Sequence, residues 1–344
     1  SDTDDTDVTG SELVTNGTME SNSGWGALGS PVSQNQSNEQ AHSGTYSWKF
    51  VASGNYQGIK SASDMSVVSG KTYLINSWVY PVNDTGIAVR FGGVLQVVTG
   101  LTQGAWNEVT VTVTATSTSS TSYVQFDTNI NFGGGTWYID DVSVRLAEED
   151  RSVNGNGLQV FGTVTKNPVA TGADLVAYSG FNSSNYLEQP YNSDLDFGTG
   201  DCCGMAWFKH SDTALTRTIF DRDSATSDKA ISFEIAATNS YLQISLDDGT
   251  DRVYVNSGVA VDNDVWHLGV WVRRGNTLEL YLDGVLKNTG NVSSVDSISS
   301  TDARLRIGDY RRSALSLPFG GDIALVRISA TAPSPEQIAK IYED

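Results

Sequence analysis

Aromatic and amide side chains alternate with apolar ones along residues 71–80, and this pattern could hold a ligand. Successive side chains of a β-strand point to opposite faces. One set is then Tyr73, Ile75, Ser77 and Val79, which is typical of a core, and the other is Leu74, Asn76, Trp78 and Tyr80. The second set puts an amide beside two rings, so Asn76, Trp78 and Tyr80 are the best candidates for a binding face. The alternative, that any one tryptophan belongs to the core, stays open because large aromatic residues dominate cores.

The residue patterns that catalysis requires are missing from the sequence. Glycosidases hold two carboxyl groups about 5–10 Å apart across the scissile bond, whereas Asp140 and Asp141 are adjacent and should point to opposite faces of a strand. The three histidines, His42, His210 and His267, lack metal-ligand spacing. No Gly-x-Ser-x-Gly elbow and no complete phosphate-binding Gly-x-x-x-x-Gly-Lys-Ser/Thr motif occurs. The sequence therefore favours a protein that is not an enzyme, with convergence of acids from distant strands as the alternative.

The charge balance excludes nucleic acid as a partner. The formal net charge is −19 and the pI is about 4.4, whereas nucleic-acid binding needs clustered lysine and arginine. We expect no membrane insertion, because the sequence has neither a signal peptide nor a long apolar run. The two cysteines, Cys202 and Cys203, are adjacent, so a disulfide between them is not expected.

Short alternating segments separated by turn residues predict an all-β fold. In Glu108–Ala115, for example, Val109, Val111 and Val113 alternate with threonines. Asp248-Gly249 and Asp283-Gly284 are strong hairpin signals, and no βαβ alternation indicates a parallel sheet. One short C-terminal helix is predicted, with Ser334 as N-cap, Pro335 in the first turn and Gln337 closing a capping box. Ile338 and Ile341 should pack this helix against the sheet.

The pattern changes along the chain predict two β-sandwich (jelly-roll) domains. Residues 1–10 are acidic and polar, and we expect them to be flexible. The first sandwich covers residues 11–146 and the second covers residues 173–344. A connector of residues 147–172 lies between them, with a strand expected at Leu158–Thr165.

Several spaced segments of the first domain resemble carbohydrate-binding modules of the family 4/9/22 type. They are residues 13–20, Gly24-Trp25, residues 41–50, residues 70–79 and residues 138–144. The resemblance implies a jelly roll that binds glucans, xylans or related polysaccharides by stacking flat rings on the sugar. It thereby makes Trp78, Tyr80, Asn76 and Trp25 the expected sugar-binding residues.

The same resemblance implies a structural Ca²⁺ ion. By position, Glu20 and Asp141 would supply carboxylates, and backbone carbonyls near Ser43 and Trp48 would complete the shell. Carboxylates and carbonyls are the ligands that Ca²⁺ takes. The alternative is that Glu20 and Asp141 cap turns or face water.

The second half resembles a laminin-G-like (concanavalin A-like) domain. The segments that carry the resemblance are residues 185–197, 205–209, 266–273, 278–286, 305–308 and 321–328. Two acidic clusters could bind Ca²⁺ at a rim, although turn formation is favoured for both: Asp221 and Asp223 with Asp228, and Asp247, Asp248 and Asp251. The whole second half, with its ending at residues 332–344, also resembles segments of bacteriophage tail and virion proteins.

Together these patterns predict a non-catalytic, lectin-like glycan-binding protein that attaches to a polysaccharide or a host-surface glycan. The resemblances imply an extracellular or virion location, with a homotrimer or other virion proteins as partners. One alternative is a structural virion tail protein that packs through its sandwiches and binds no sugar. Another is a polysaccharide-degrading glycosidase or lyase.

Overall fold

The computed structural model describes residues 6–148, 156–169, 175–211, 215–310 and 316–343. These residues divide into two compact units, Gly10–Gln159 and Val160–Asp344, the latter joined by Ser1–Thr9. The division falls between Gln159 and Val160, inside the predicted connector. Thr6–Gly10 forms a strand in the segment expected to be flexible, and residues 1–5 lie outside the described residues.

The regular elements of the structure are nearly all β-strands, as the sequence predicts. The first thirteen are β1 Thr6–Gly10, β2 Trp25–Leu28, β3 Ser33–Ser37, β4 Ser47–Ala52, β5 Gly58–Ser61, β6 Met65–Val67, β7 Thr72–Pro81, β8 Gly86–Phe91, β9 Val94–Thr99, β10 Asn107–Thr114, β11 Ser119–Ser122, β12 Gln125–Asp127 and β13 Gly135–Glu148. The others are β14 Leu158–Pro168, β15 Val176–Ser179, β16 Tyr186–Gln189, β17 Cys202–His210, β18 Arg217–Asp223, β19 Lys229–Ile235, β20 Tyr241–Asp248, β21 Arg252–Ala260, β22 Trp266–Arg274, β23 Thr277–Leu282, β24 Val285–Asn291, β25 Arg304–Ile307 and β26 Gly321–Ser329. A 3-10 turn, Ser193–Leu195, and the helix α1, Pro335–Glu343, complete the described elements.

The unit Gly10–Gln159 is a sandwich of two five-stranded antiparallel sheets. One sheet has the order β3–β4–β13–β7–β10, and the other has the order β2–β5–β12–β8–β9. The core between them includes Tyr73, Ile75 and Val79 of β7 and the alternating valines of β10. The alternation predicted for both strands is therefore confirmed.

The unit Val160–Asp344 contains a seven-stranded sheet, β14–β15–β26–β17–β22–β23–β24, and a six-stranded sheet, β16–β25–β18–β19–β20–β21. The two sheets approach closely at Gly269, where a Cβ atom would lie 2.7 Å from Phe233 and 2.8 Å from Leu242. Close packing there leaves no room for a larger residue.

Helix α1 covers the other face of the seven-stranded sheet. Its fully buried Ile338 packs with Met205 and Leu268, and Ile341 packs against the same cluster. The predicted capping box is present: the Ser334 N–H donates to Gln337 Oε1 (2.8 Å) and the Gln337 N–H donates to Ser334 Oγ (3.3 Å). Within the described ranges, no helix has the length and apolarity needed to cross a membrane.

Candidate functional site

The outer surface of the β3–β4–β13–β7–β10 sheet carries a group of neighbouring rings. Trp78 and Tyr80 point away from the core that receives Ile75 and Val79, because side chains alternate along β7. Trp106 stands immediately before β10. In the sheet register Trp78 lies between strands β10 and β13, and Tyr80 is opposite Tyr138 of β13. We call the surface formed by Trp78, Tyr80, Trp106 and His42 the aromatic face.

Ring contacts connect the members of the aromatic face. The His42 imidazole stacks on Trp78 with a centroid distance of 3.7 Å and an interplanar angle of 11°. His42 also meets Trp106 edge-on at 5.8 Å, and Trp106 meets Tyr80 edge-on at 5.5 Å. Trp78, Tyr80 and Trp106 are half-buried and His42 is exposed. Such contacts fix the rings without sealing them from solvent.

Polar groups border these rings. Tyr80 meets Tyr138 edge-on at 5.9 Å, and the Tyr138 hydroxyl donates to Glu39 Oε2 (2.6 Å). Lys49 Nζ donates to the same oxygen (2.6 Å) and lies over the Tyr138 ring. Lys49 and Tyr138 together hold the pKa of Glu39 below its usual range. Tyr138 itself is buried and stands beside Tyr80 on the neighbouring strand.

The four predicted sugar-binding residues differ in their location and burial. Trp78 and Tyr80 lie on the aromatic face. Asn76 lies on the same side of β7 but is buried, and its amide donates to Glu108 Oε1 and Thr110 Oγ1, each at 2.9 Å. Trp25 is only 6% exposed and belongs to the core, where it packs near Phe126. Trp25 is therefore not brought together with the other three.

The predicted metal residues converge on one turn, with one exception. Glu20 Oε1 accepts hydrogen bonds from the Thr45 and Tyr46 N–H groups (2.8 and 2.9 Å). Asp141 Oδ1 accepts from Ser43 Oγ (2.8 Å), and Asp141 Oδ2 lies 2.7 Å from His42 Nδ1. Glu20 and Asp141 thus both contact the turn at residues 42–46, and Ser43 is part of this turn.

Trp48 is the exception. It lies inside β4, paired with Gln36 of β3 on one side and Ile139 of β13 on the other. Trp48 is thus a central-strand residue outside the turn at residues 42–46, and the role of the carbonyls near it stays a prediction. In the part of the chain that the structure describes, no group of three or more His, Cys, Asp or Glu side chains is arranged to hold a metal ion.

The prediction that Asp140 and Asp141 point to opposite faces is wrong. Asp141 has a φ of 47°, and the β13–β7 register shifts between Asp140 and Ser143. At this bulge both carboxylates point to the turn at residues 42–46. Asp140 Oδ2 accepts hydrogen bonds there from the His42 and Ser43 N–H groups (2.9 and 3.3 Å). Burial raises the pKa of Asp140 to about 6.

The acidic clusters of the second half are turn and strand residues. Asp221 and Asp223 lie within β18 and are buried, so the predicted acidic loop is a strand. Asp247 and Asp248 accept hydrogen bonds from the backbone N–H groups of Gly249, Thr250 and Asp251 (2.8 Å each). The turn interpretation of this second cluster is confirmed.

The sequence did not identify His42 or Trp106 as members of the aromatic face. His42 is 36 positions before Trp78 in the printed sequence, and only the folded sheet brings their rings together. Trp106 stands just outside the alternating segment of β10, so the period of that strand does not assign it to a face.

Residues 181–339 match the family model Laminin_G_3, the concanavalin A-like lectin/glucanases superfamily. This part of the predicted resemblance is confirmed. No curated protein matches the chain.

Solved structures also resemble the chain. The CBM40 of the Ruminococcus gnavus IT-sialidase bound to α2,3 sialyllactose is 16% identical, with 42% of this chain and 83% of that chain covered and a TM-score of 0.38. The binding domain of Paraclostridial Mosquitocidal Protein 1 is 11% identical, with 56% and 48% covered and a TM-score of 0.46. A pentraxin of Limulus polyphemus is 13% identical, with 43% and 71% covered and a TM-score of 0.35. At these scores the likenesses carry no argument about function.

Proposed function

We propose that the protein is a non-catalytic, glycan-binding protein and that the aromatic face of the unit Gly10–Gln159 holds the sugar. The observation that carries this proposal is the series of ring contacts on the outside of a sheet that runs from Trp78 through His42 and Trp106 to Tyr80. A cluster of rings this large on a sheet face is unusual unless it meets a partner.

The chemistry of the aromatic face suits a pyranose ring. The C–H groups of a sugar form an apolar surface that can pack on an indole, while hydroxyl groups need polar partners close to the rings. Glu39, Lys49 and Glu108 provide carboxylate and ammonium groups next to the face. The ring contacts fix the aromatic side chains of the face before a ligand arrives, which lowers the conformational entropy lost on binding.

The positions of the Asp140 and Asp141 carboxylates support a role other than bond cleavage. Asp140 is fully buried and accepts from backbone N–H groups, and Asp141 binds Ser43 and His42. Both acids are occupied in holding residues 42–46, whereas a glycosidase needs one acid and one base that reach the substrate. The lectin-like family match of residues 181–339 agrees with a binding role.

Calcium is the cation that we propose for the turn at residues 42–46. Glu20 and Asp141 supply oxygen ligands of the type that Ca²⁺ prefers, and both contact this turn. Backbone carbonyls near Ser43 and Trp48 would complete the shell. When bound, the ion would stabilise the turn that carries His42.

We further propose that the protein acts outside the cell or on a virion, where glycans are displayed, and serves attachment to a host surface. The resemblance of the second half to virion proteins supports this location, and a homotrimer or other virion proteins would be its partners. A purely structural tail role is the rival function.

Affinity electrophoresis tests the proposal. The full chain is run through gels that contain laminarin, xylan or alginate, with Ca²⁺ and with EDTA. We expect one polysaccharide to retard the protein and no sugar to be released from it. Migration unaffected by every glycan would favour the structural role, and product release would favour an enzyme.

A further inference from the structure

Strand β9 is an edge of the β2–β5–β12–β8–β9 sheet, and among the described residues it pairs only with β8. Its sequence, Val-Leu-Gln-Val-Val-Thr, contains no charged residue and no proline. Leu95 and Val97 are each 39% exposed. An apolar edge strand offers unpaired backbone groups to other chains, and soluble proteins ordinarily protect such an edge with charges, proline or short length.

Other edge strands of the described residues carry the protection that β9 lacks. Strand β2 has only four residues, one of which is Gly26. Strand β3 is formed entirely of serine, asparagine and glutamine, and β24 carries Lys287. Strand β9 is therefore an edge at which pairing with a further strand is little opposed.

The turn between β8 and β9 determines which backbone groups of β9 face outward. Both residues of this turn, Gly92 and Gly93, have positive φ, 58° and 83°, as a type I′ hairpin requires. The pair that flanks such a turn, here Phe91 with Val94, exchanges ladder hydrogen bonds, and every second pair along the strands does the same. The residues between these pairs direct their N–H and C=O groups to the open side: Leu95, Val97 and Thr99.

The sequence of β9 is complementary to a second copy of itself. Antiparallel pairing about a two-fold axis at Gln96 sets Leu95 opposite Val97 of the other copy, and Val94 opposite Val98. Leu95 and Val97 are both open-side residues, so each of these pairs can exchange two backbone hydrogen bonds. A two-fold interface uses the same patch on both copies, and this strand meets that requirement.

The local charges also permit a second copy at β9. The chain carries −19, which opposes self-association over long distances. Arg90 is the charged residue of the adjoining strand β8 and is opposite Leu95, but Asp127 neutralises it through an ion pair of 2.6 Å between Nε and Oδ2. The contact therefore brings no like charges directly opposite each other, and salt screens the remaining repulsion.

We propose that β9 is a self-association surface, at which two copies of the chain pair antiparallel about Gln96 and join their five-stranded sheets. The contact closes after two copies, so it is separate from the homotrimer contact proposed above and does not depend on glycan binding. Because one strand of each copy forms it, the association is weak and depends on protein concentration.

Small-angle X-ray scattering at high salt measures the mass of the full chain over a concentration series up to about 1 mM. We expect the parent to reach an even number of chains, and Val97→Lys to halve that number at the same concentration. Each dimer contains two altered pairs, so the dissociation constant should rise on the order of tenfold. Val82→Lys is the matched control, since Val82 is an exposed valine (45%) of the same unit outside β9, and it should assemble like the parent.

A double variant tests the register. Leu95→Glu alone should weaken association as Val97→Lys does. Leu95→Glu/Val97→Lys sets opposite charges across both pairs of the two-fold contact, so it should associate more tightly than either single variant. Thermal unfolding verifies that each variant is folded.

Hydrogen exchange of the parent supplies a measurement that needs no variant. The amides of Leu95 and Val97 should exchange more slowly at high protein concentration than at low concentration, because pairing gives them acceptors. Exchange that does not change with concentration would overturn the proposal, as would a parent that stays monomeric or holds an odd number of chains. Association that Val97→Lys leaves unchanged, or that the double variant does not recover, would overturn it as well.

Discussion

The His42 imidazole lies flat against the Trp78 indole, with 3.7 Å between the ring centroids. Because His42 Nδ1 is also 2.7 Å from Asp141 Oδ2, the same side chain contacts the proposed sugar platform and the acidic turn at residues 42–46. A change in that turn can therefore reach Trp78 through a single ring.

We predict that Trp78→Ala abolishes binding to the retarding polysaccharide while the protein stays folded. Trp78 is half-buried on the outer face of the sheet, so its removal should lower affinity by at least about tenfold through lost stacking. Trp106→Ala should have the same effect. Affinity electrophoresis with parallel thermal unfolding measures both quantities.

Trp25→Ala is the contrasting variant for this experiment. Trp25 is in the core, and a large-to-small change there costs about 3–5 kcal/mol of unfolding free energy. If Trp78→Ala unfolds the protein as Trp25→Ala does, Trp78 is a core residue and the aromatic face is not a binding site.

Removal of a carboxylate from the turn at residues 42–46 should lower thermal stability in a Ca²⁺-dependent manner. Glu20→Gln and Asp141→Asn each remove a negatively charged oxygen ligand, so each should reduce the gain in melting temperature that Ca²⁺ gives the parent. Differential scanning calorimetry with Ca²⁺ and with EDTA measures the melting temperatures of the parent and the two variants. Equal losses in both buffers would mean that these acids only cap the turn through the hydrogen bonds to Ser43, Thr45 and Tyr46.

The fold could be predicted from the sequence to a large extent because its signals are local. Alternation identified β7 and β10, Asp283-Gly284 marked the β23–β24 hairpin, and Ser334 with Gln337 marked the start of helix α1. Each of these signals depends on neighbours within a few residues. The predicted elements are present in the structure because local and tertiary preferences agree.

The candidate site was less predictable, because its contacts join distant segments. Asp141 sits in a left-handed conformation at a bulge, and strict alternation cannot anticipate the reversal of its side chain. The alternation of β7 placed Asn76 with the exposed residues, but Glu108 and Thr110 of β10 bury its amide. Burial of this kind depends on cross-strand register, which sequence spacing alone does not give.

Asp302→Asn should destabilise the protein at neutral pH. Burial alone would raise the pKa of Asp302, but hydrogen bonds from Ser224, Ser300 and Thr226 outweigh it and lower this pKa to about 2. The folded pKa is below the unfolded one, so the stabilisation is present above the unfolded value of 3.8 and is lost as the pH falls through about 2. Allowing for solvent screening, it amounts to on the order of 1 kcal/mol.

Urea unfolding of the parent and Asp302→Asn between pH 7 and pH 2 measures this difference. The gap between the two proteins should be constant from pH 7 to about pH 5 and should then shrink. A gap that does not change with pH would show that the ionised form of Asp302 gains nothing from its three partners.

Alanine substitutions at two hairpin glycines of the seven-stranded sheet distinguish the cost of backbone strain from the cost of a steric clash. Gly284 and Gly275 both have positive φ, 75° and 56°. A Cβ at Gly284 would lie 3.3 Å from Ala339 Cα and from Tyr342 Cβ in helix α1, whereas a Cβ at Gly275 would meet nothing within 4 Å. Gly275→Ala should therefore cost about 1–2 kcal/mol from the left-handed backbone alone, and Gly284→Ala should cost more because the hairpin must also move away from the helix. Chemical denaturation of the two variants beside the parent measures this order, and equal costs would mean that the hairpin tip and α1 yield to each other without loss.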